Sequence, residues 1–309
     1  MIERVAIVGT GVIGASWASN FLAQGLDVSA YDPAPGFADR LHATVAAQWP
    51  VLERMGLAAG ADKGRLRIAV SLEAALEDAQ FVQENGPERL DVKRALFAAM
   101  DAATGPDVVI ASSSSTLKVS DVQAGLRHPG RIVLGHPFNP PHLIPLVEVV
   151  GGGGTDVAAI EVAMAFYGQV GKKPIRLKKE KVGHVANRLQ AALWQEAFSL
   201  LIEGVADVED LDTAIAHGPG LRWALLGPFL NLHLSGGPGG IEHMLAHLGP
   251  PTESMWRDLG RVSLTPENSA LLVRAVTERI AALDLPAVVA ERDATLVSLL
   301  QSKAGTGLP

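Results

Sequence analysis

His136 and Glu148 are the residues of this sequence whose placement asks for a chemical explanation. Glu148 sits in LVEVV, flanked by Leu146, Val147, Val149 and Val150, and a carboxylate buried in such a run without a partner is costly. An edge strand turning Glu148 to water would be the purely structural account. His136 closes an earlier apolar run, RIVLGHP, and the FNPPHLIP between the two is too rich in proline to be anything but a constrained connection. Paired, the two residues form an acid–base unit. The carboxylate fixes the imidazole tautomer and stabilises the imidazolium formed when histidine takes a proton from an alcohol. Two further segments offer polar groups. The run SSSST at 112–116 follows DVVIA, so its hydroxyls emerge at the C-terminal end of a strand, where ligands collect in open α/β sheets; taken alone, a polar loop explains it as well. GHVANRL places Asn187 where it could face a substrate, although a helix-surface Asn followed by an ion-paired Arg188 has the same spacing.

A second site is legible at the N-terminus. RVAIVGTGVIGASWASNFLAQG sets Gly9, Gly11 and Gly14 between an apolar strand and an amphipathic helix. In that context the first glycine permits the tight turn, the second lets a pyrophosphate approach, and the third allows close helix–strand packing. The helix start adds unpaired N–H groups and the positive dipole end. Asp32, at the end of the next strand in VSAYDP, can accept both ribose hydroxyls and would repel a 2′-phosphate, which favours NAD over NADP. The glycines alone are also compatible with FAD, or with a ligand-free turn, but strand, helix and acid all in place argue against the latter.

These residues need a scaffold. Short β-rich runs at 5–8, 28–31, 67–70, 81–84, 108–111, 132–135, 146–150 and 174–177 alternate with helix-period segments such as 12–24, 91–102 and 156–168. That alternation predicts an α/β fold: a Rossmann-type, mainly parallel sheet domain over residues 1–182. Residues 183–309 read as an all-helical domain, with helices at 185–202, 209–216, 240–248 and 266–283 broken by Gly/Pro clusters at 218–220, 236–240 and 249–251. With 48% apolar and 19% charged residues, the 309-residue chain can bury two cores. The absence of cysteine excludes disulfides, thiol catalysis and cysteine-based metal sites, and no metal is expected. The 26 basic and 33 acidic residues give −7, no footprint for nucleic acid or an anionic membrane. Most of the excess acid falls in residues 185–309, which hold 8 basic and 14 acidic side chains. No stretch is long and apolar enough for a membrane span. The N-terminus is interrupted by glycines where a signal peptide needs a continuous apolar core, so a cytoplasmic protein is expected.

At GTGVIG with Asp32, SSSSTL, GHPFNP, PLVEVV and GHVANR, in this order over residues 4–190, the sequence resembles the 3-hydroxyacyl-CoA dehydrogenase superfamily. The resemblance implies a Rossmann domain binding NAD and a helical domain making most of a homodimer. It implies that Ser115 binds the substrate hydroxyl, His136 is the general base, Glu148 its orienting partner, and Asn187 a holder of substrate and geometry. Asn139 in the FNP turn matches as well, and Glu84 in FVQENGPE matches an acidic position near the nicotinamide ribose. One departure bears on the substrate. The fatty-acyl-CoA enzymes carry a lysine-rich helical pair that clamps CoA phosphates, whereas residues 41–52, LHATVAAQWPVL, contain no Lys or Arg. The sequence is more similar to the branch acting on small free 3-hydroxy acids, carnitine 3-dehydrogenase and L-gulonate 3-dehydrogenase (the lens λ-crystallin), and at residues 218–245 it stands closer to the carnitine enzyme. A quaternary ammonium asks for aromatic faces; Trp194, Trp223, Trp256, Phe198 and Phe229 all lie in the helical part, though such residues are more often core or dimer interface than a cage. Arg222, beside Trp223, is the first candidate partner for a substrate carboxylate, with a dimer-interface ion pair as its alternative. The expected activity is therefore NAD-dependent oxidation of a small L-3-hydroxy acid, carnitine-like first. L-gulonate oxidation, a 3-hydroxybutyryl-CoA type of activity and a crystallin-like NAD-binding structural protein remain alternatives.

Overall fold

In the computed structural model, which describes residues 1–308, contacts divide the chain into two compact units, Met1–Asn187 and the residues from Arg188 onward. The division falls inside the first turn of a helix, a few residues beyond the expected 182/183 boundary.

The first unit holds one eight-stranded sheet in the order β3-β2-β1-β4-β5-β6-β7-β8. The strands are β1 (Arg4–Val8), β2 (Asp27–Tyr31), β3 (Leu66–Ile68), β4 (Phe81–Glu84), β5 (Val109–Ser112), β6 (Ile132–Pro137), β7 (Leu146–Gly151) and β8 (Lys173–Arg176). Every expected strand is present, shifted by no more than a residue or two at its ends. All neighbours pair parallel except β6 and β7, which are antiparallel. Strand alternation explains why both faces are covered. Val5 and Ile7 of β1 belong to one core cluster with Trp17, Phe21 and Phe166, while Ala6 and Val8 belong to a second with Val82, Phe97 and Met100. Helices α1 (Val12–Ala23), α2 (Phe37–Met55), α3 (Leu72–Leu76), α4 (Leu90–Ala103), α5 (Val119–Val122) and α6 (Val157–Gln169) supply the outer layers.

The second unit is helical: α7 (Ala186–Ile202, whose first two residues belong to the first unit), α8 (Val208–Ala216), α9 (Pro219–Trp223), α10 (Pro228–Ser235), α11 (Gly240–Asp258), α12 (Pro266–Ile280) and α13 (Leu285–Ala304). One expected break is absent, because α11 runs through Gly249, Pro250 and Pro251. Proline removes a hydrogen bond to the carbonyl four residues back; here those carbonyls belong to Ala246 and His247, both exposed, where water can satisfy them. Pro50 sits within α2 in the same way, opposite exposed Ala46. No helix among the described residues is long and apolar enough to cross a membrane.

Candidate active site

The antiparallel register of β6 and β7 places His136 directly opposite Glu148. Directly opposed residues on one face of a sheet have side chains within reach of each other, and this converts a separation of 12 residues into a 2.9 Å contact between His136 Nδ1 and Glu148 Oε2. Both side chains are buried, His136 at 4% and Glu148 at 0% exposure, so the carboxylate does not face water at an edge. Its other oxygen accepts backbone N–H groups from Val185 at 2.8 Å and Ala186 at 2.9 Å. Burial pushes the Glu148 carboxyl up, but hydrogen bonds from His136 and the two amides outweigh it and hold it below the ordinary carboxylate range. An ionised Glu148 accepts from Nδ1–H, which leaves the His136 Nε2 lone pair free to act as a base. Nε2 lies 3.2 Å from Ser115 Oγ, and Ser115 is half-buried in the loop that follows β5. The first turn of α7 carries Asn187, also half-buried, one residue beyond the second amide that binds Glu148.

The serine run proves to be divided among several tasks. Ser112 Oγ donates to Glu84 Oε2 at 2.8 Å, Ser113 Oγ to Asn85 Oδ1 at 2.8 Å and Ser114 Oγ to Glu88 Oε1 at 2.6 Å. Glu88 Oε1 also accepts from the Thr116 amide and hydroxyl, each at 2.8 Å, so this one carboxylate folds the loop that presents Ser115. Glu88 did not emerge from the sequence reading. Its signal was the polar ENGPE at the C-terminal end of β4, the sheet edge where ligands and their supports gather.

At the glycine-rich turn the three glycines are required for different reasons. Gly9 adopts φ +87°, and a Cβ there would lie 2.8 Å from the Asn85 backbone; one on Gly14 would lie 1.9 Å from the Gly9 carbonyl oxygen. A Cβ on Gly11 would meet nothing within 4 Å. That open space lies at the start of α1, which has neither a side-chain cap nor an acidic residue in its first turn, as a pyrophosphate cradle requires. Asp32 accepts the Thr10 amide at 2.7 Å on one oxygen and the Ala34 amide at 2.9 Å on the other, which holds its carboxylate beside the glycine loop with lone pairs to spare. These features fit NAD. Gly11→Ala is accordingly expected to change stability by less than about 1 kcal/mol while weakening NADH binding at least about tenfold, about 1.4 kcal/mol. Thermal melts and a fluorescence titration would measure the two effects; undiminished affinity would place the pyrophosphate elsewhere.

Glu84 requires a correction. It is fully buried, with Lys93 Nζ at 2.7 and 2.9 Å and the Ser112 hydroxyl on its carboxylate, so its side chain cannot touch a ribose. It braces the turn after β4 through the Gly86 amide instead. Asn139 is exposed where the chain leaves β6, and Arg222 is exposed on α9 in the second unit.

Known proteins resemble the chain along nearly its whole length. Residues 4–181 match the model of the 3-hydroxyacyl-CoA dehydrogenase NAD binding domain, and residues 183–262 that of the 3-hydroxyacyl-CoA dehydrogenase C-terminal domain. The chain is 50% identical to an L-carnitine dehydrogenase of Streptomyces griseus over 97% of its own length and 90% of that protein's. It is 49% identical to an L-carnitine dehydrogenase of Streptomyces coelicolor, over 99% and 96%. Among solved structures, 5-formyl-3-hydroxy-2-methylpyridine 4-carboxylic acid 5-dehydrogenase, an NAD+ dependent dismutase, superposes with a TM-score of 0.85 at 30% identity, covering 99% of both chains.

Proposed function

The chain belongs to the 3-hydroxyacyl-CoA dehydrogenase family, and on that premise we propose that it oxidises the 3-hydroxyl of a small L-3-hydroxy acid, L-carnitine first, to the 3-oxo acid. It is an NAD-dependent dehydrogenase acting on a CH–OH group. The observation that carries the mechanism is the Ser115–His136–Glu148 line, with contacts of 3.2 and 2.9 Å.

Gly11, the open start of α1 and Asp32 would hold NAD, which when bound supplies the acceptor for the hydride leaving C3. Ser115 Oγ hydrogen-bonds the substrate hydroxyl and hands it to His136. His136 Nε2 removes the hydroxyl proton, and the charge it acquires is balanced by Glu148 through Nδ1. Asn187 holds the alcohol so that proton and hydride leave along fixed directions. Membership of a dehydrogenase family and close likeness to L-carnitine dehydrogenases argue against a purely structural protein.

Two observations favour a free acid over a CoA ester. The relatives with about half their residues in common are L-carnitine dehydrogenases, and residues 41–52 of α2, between Arg40 and Arg54, carry no lysine or arginine to clamp CoA. Leu41, Val45, Trp49 and Leu52 are buried, while the exposed side of the same stretch presents His42, Ala43, Ala46 and Ala47. Arg222 remains the proposed partner of the substrate carboxylate, and Asn139 a further substrate contact. The protein works as a cytoplasmic homodimer: Trp194, Trp223, Phe229 and Trp256 of the second unit are 46–78% exposed, and a second copy would cover such a surface.

Substrate choice is tested by following NADH formation with the purified protein on L-carnitine, L-gulonate and L-3-hydroxybutyryl-CoA. The expected result is a kcat/KM for L-carnitine at least about tenfold above either alternative. Preference for the CoA ester would restore the CoA reading.

A further inference from the structure

His184 is buried to 3% exposure beside the proposed base, its ring centroid 5.0 Å from that of His136. Two features of it are locally unfavourable. It is the only non-glycine residue among those described with a positive φ, +51°, a region disfavoured for side chains with a Cβ, and its Nδ1 is buried without a hydrogen-bond partner. Strain and an orphaned polar atom persist where the surroundings impose them, and they gather at functional sites.

What the surroundings gain is a set of connections. His184 Nε2 lies 3.0 Å from the Ser114 carbonyl oxygen. A carbonyl only accepts, so Nε2 carries the proton and Nδ1 the lone pair. Burial pushes the pKa of this imidazole down, which keeps the ring neutral. Ser114 immediately precedes Ser115, and the two residues after His184 are those whose amides hold Glu148 Oε1. The left-handed turn at Gly183 and His184, closed by the His184 amide on the Lys181 carbonyl at 2.9 Å, aims those amides.

We propose that His184 is a positioning residue for the proton transfer: its Nε2–H bond to Ser114 ties the loop bearing Ser115 to the turn that holds Glu148. One side chain thereby links the segments that carry both neighbours of His136. The proposal rests on His136 being the base, as argued above, and adds a residue that touches neither substrate nor cofactor.

Three variants separate this role from packing. His184→Phe keeps a ring and loses the donor, His184→Gly suits the backbone and loses both, and His184→Gln keeps a donor that can reach Ser114. Turnover is expressed per NADH-binding site, counted by fluorescence titration, so that a loss of folded protein does not register. In the Phe and Gly variants kcat is expected to fall at least about tenfold with the KM for NAD within about twofold, and Gln to recover most of the loss. Wild-type kcat in either Phe or Gly, or a Gln variant no better than Phe, overturns the proposal. So does failure of both Phe and Gly to bind NADH, which would make His184 a folding residue. His136→Gln, run alongside, locates the failure. Full turnover there condemns the base assignment, whereas an inactive His136→Gln beside a fully active His184→Phe condemns the role of His184.

Discussion

His136→Gln is expected to lower kcat by roughly 10²–10⁴-fold, the usual contribution of a positioned general base, while NADH binds as before. The variant isolates chemistry because the rest of the site has independent support. Glu148 keeps the Val185 and Ala186 amides on Oε1, so losing the imidazole does not leave an unpartnered buried carboxylate, and a glutamine amide can still donate toward Oε2. Ser115 stays in place because its loop is folded by Glu88 through Ser114 and Thr116, not by His136. The nucleotide cradle of Gly9, Gly11, Gly14 and Asp32 is built from β1, α1 and β2 and contains no atom of the histidine. Glutamine can hydrogen-bond a substrate hydroxyl but has no lone pair basic enough to take its proton. The measurement is steady-state turnover on L-carnitine beside an NADH titration. Turnover within about tenfold of wild type, about 1.4 kcal/mol in the barrier, would remove His136 from the role of base.

The sheet was legible because β1, β5, β6 and β7 are short runs rich in Val and Ile, and the site was legible because two of its members break the local pattern. A carboxylate in LVEVV and glycines at the mouth of a helix are both poor choices for folding alone. What stayed hidden depends on pairing between distant segments. Periodicity reports which residues share a face but not that β6 and β7 run antiparallel, and only that register sets His136 against Glu148. Glu84 shows the reverse error. It has the type and position of a ligand contact, yet Lys93, nine residues on, reaches back to bury it. Such an ion pair cannot be told from two unrelated surface charges in a sequence. In α11 the local rule itself was outweighed, since exposed carbonyls make a proline pair tolerable where buried ones would not.

The Glu84–Lys93 pair supports the second large expectation: Lys93→Met should destabilise the protein by about 3–5 kcal/mol, the usual penalty for removing one partner of a buried ion pair. Methionine replaces all of the lysine stem and lacks only the position of Nζ, so the loss is chiefly electrostatic. Glu84 and Lys93 are 0% and 1% exposed, and without Nζ the carboxylate retains only the Ser112 hydroxyl and the Gly86 amide. A total stability of ordinarily 5–15 kcal/mol makes such a loss easy to detect. The consequence reaches the nucleotide site as well. Lys93 Nζ also binds the Gly86 carbonyl at 3.2 Å, and the adjacent Asn85 backbone is the surface against which Gly9 packs so closely that a Cβ would lie 2.8 Å from it. Loosening this turn releases the glycine loop, so NADH affinity should fall together with stability. Denaturant unfolding of the full chain and an NADH titration read the two effects. Adding Glu84→Gln to Lys93→Met should return part of the stability, because the amide still accepts from Ser112 but leaves no charge stranded. A single Lys93→Met variant within about 1 kcal/mol of wild type would mean that water reaches Glu84 despite its burial, and that the turn is held by its backbone alone.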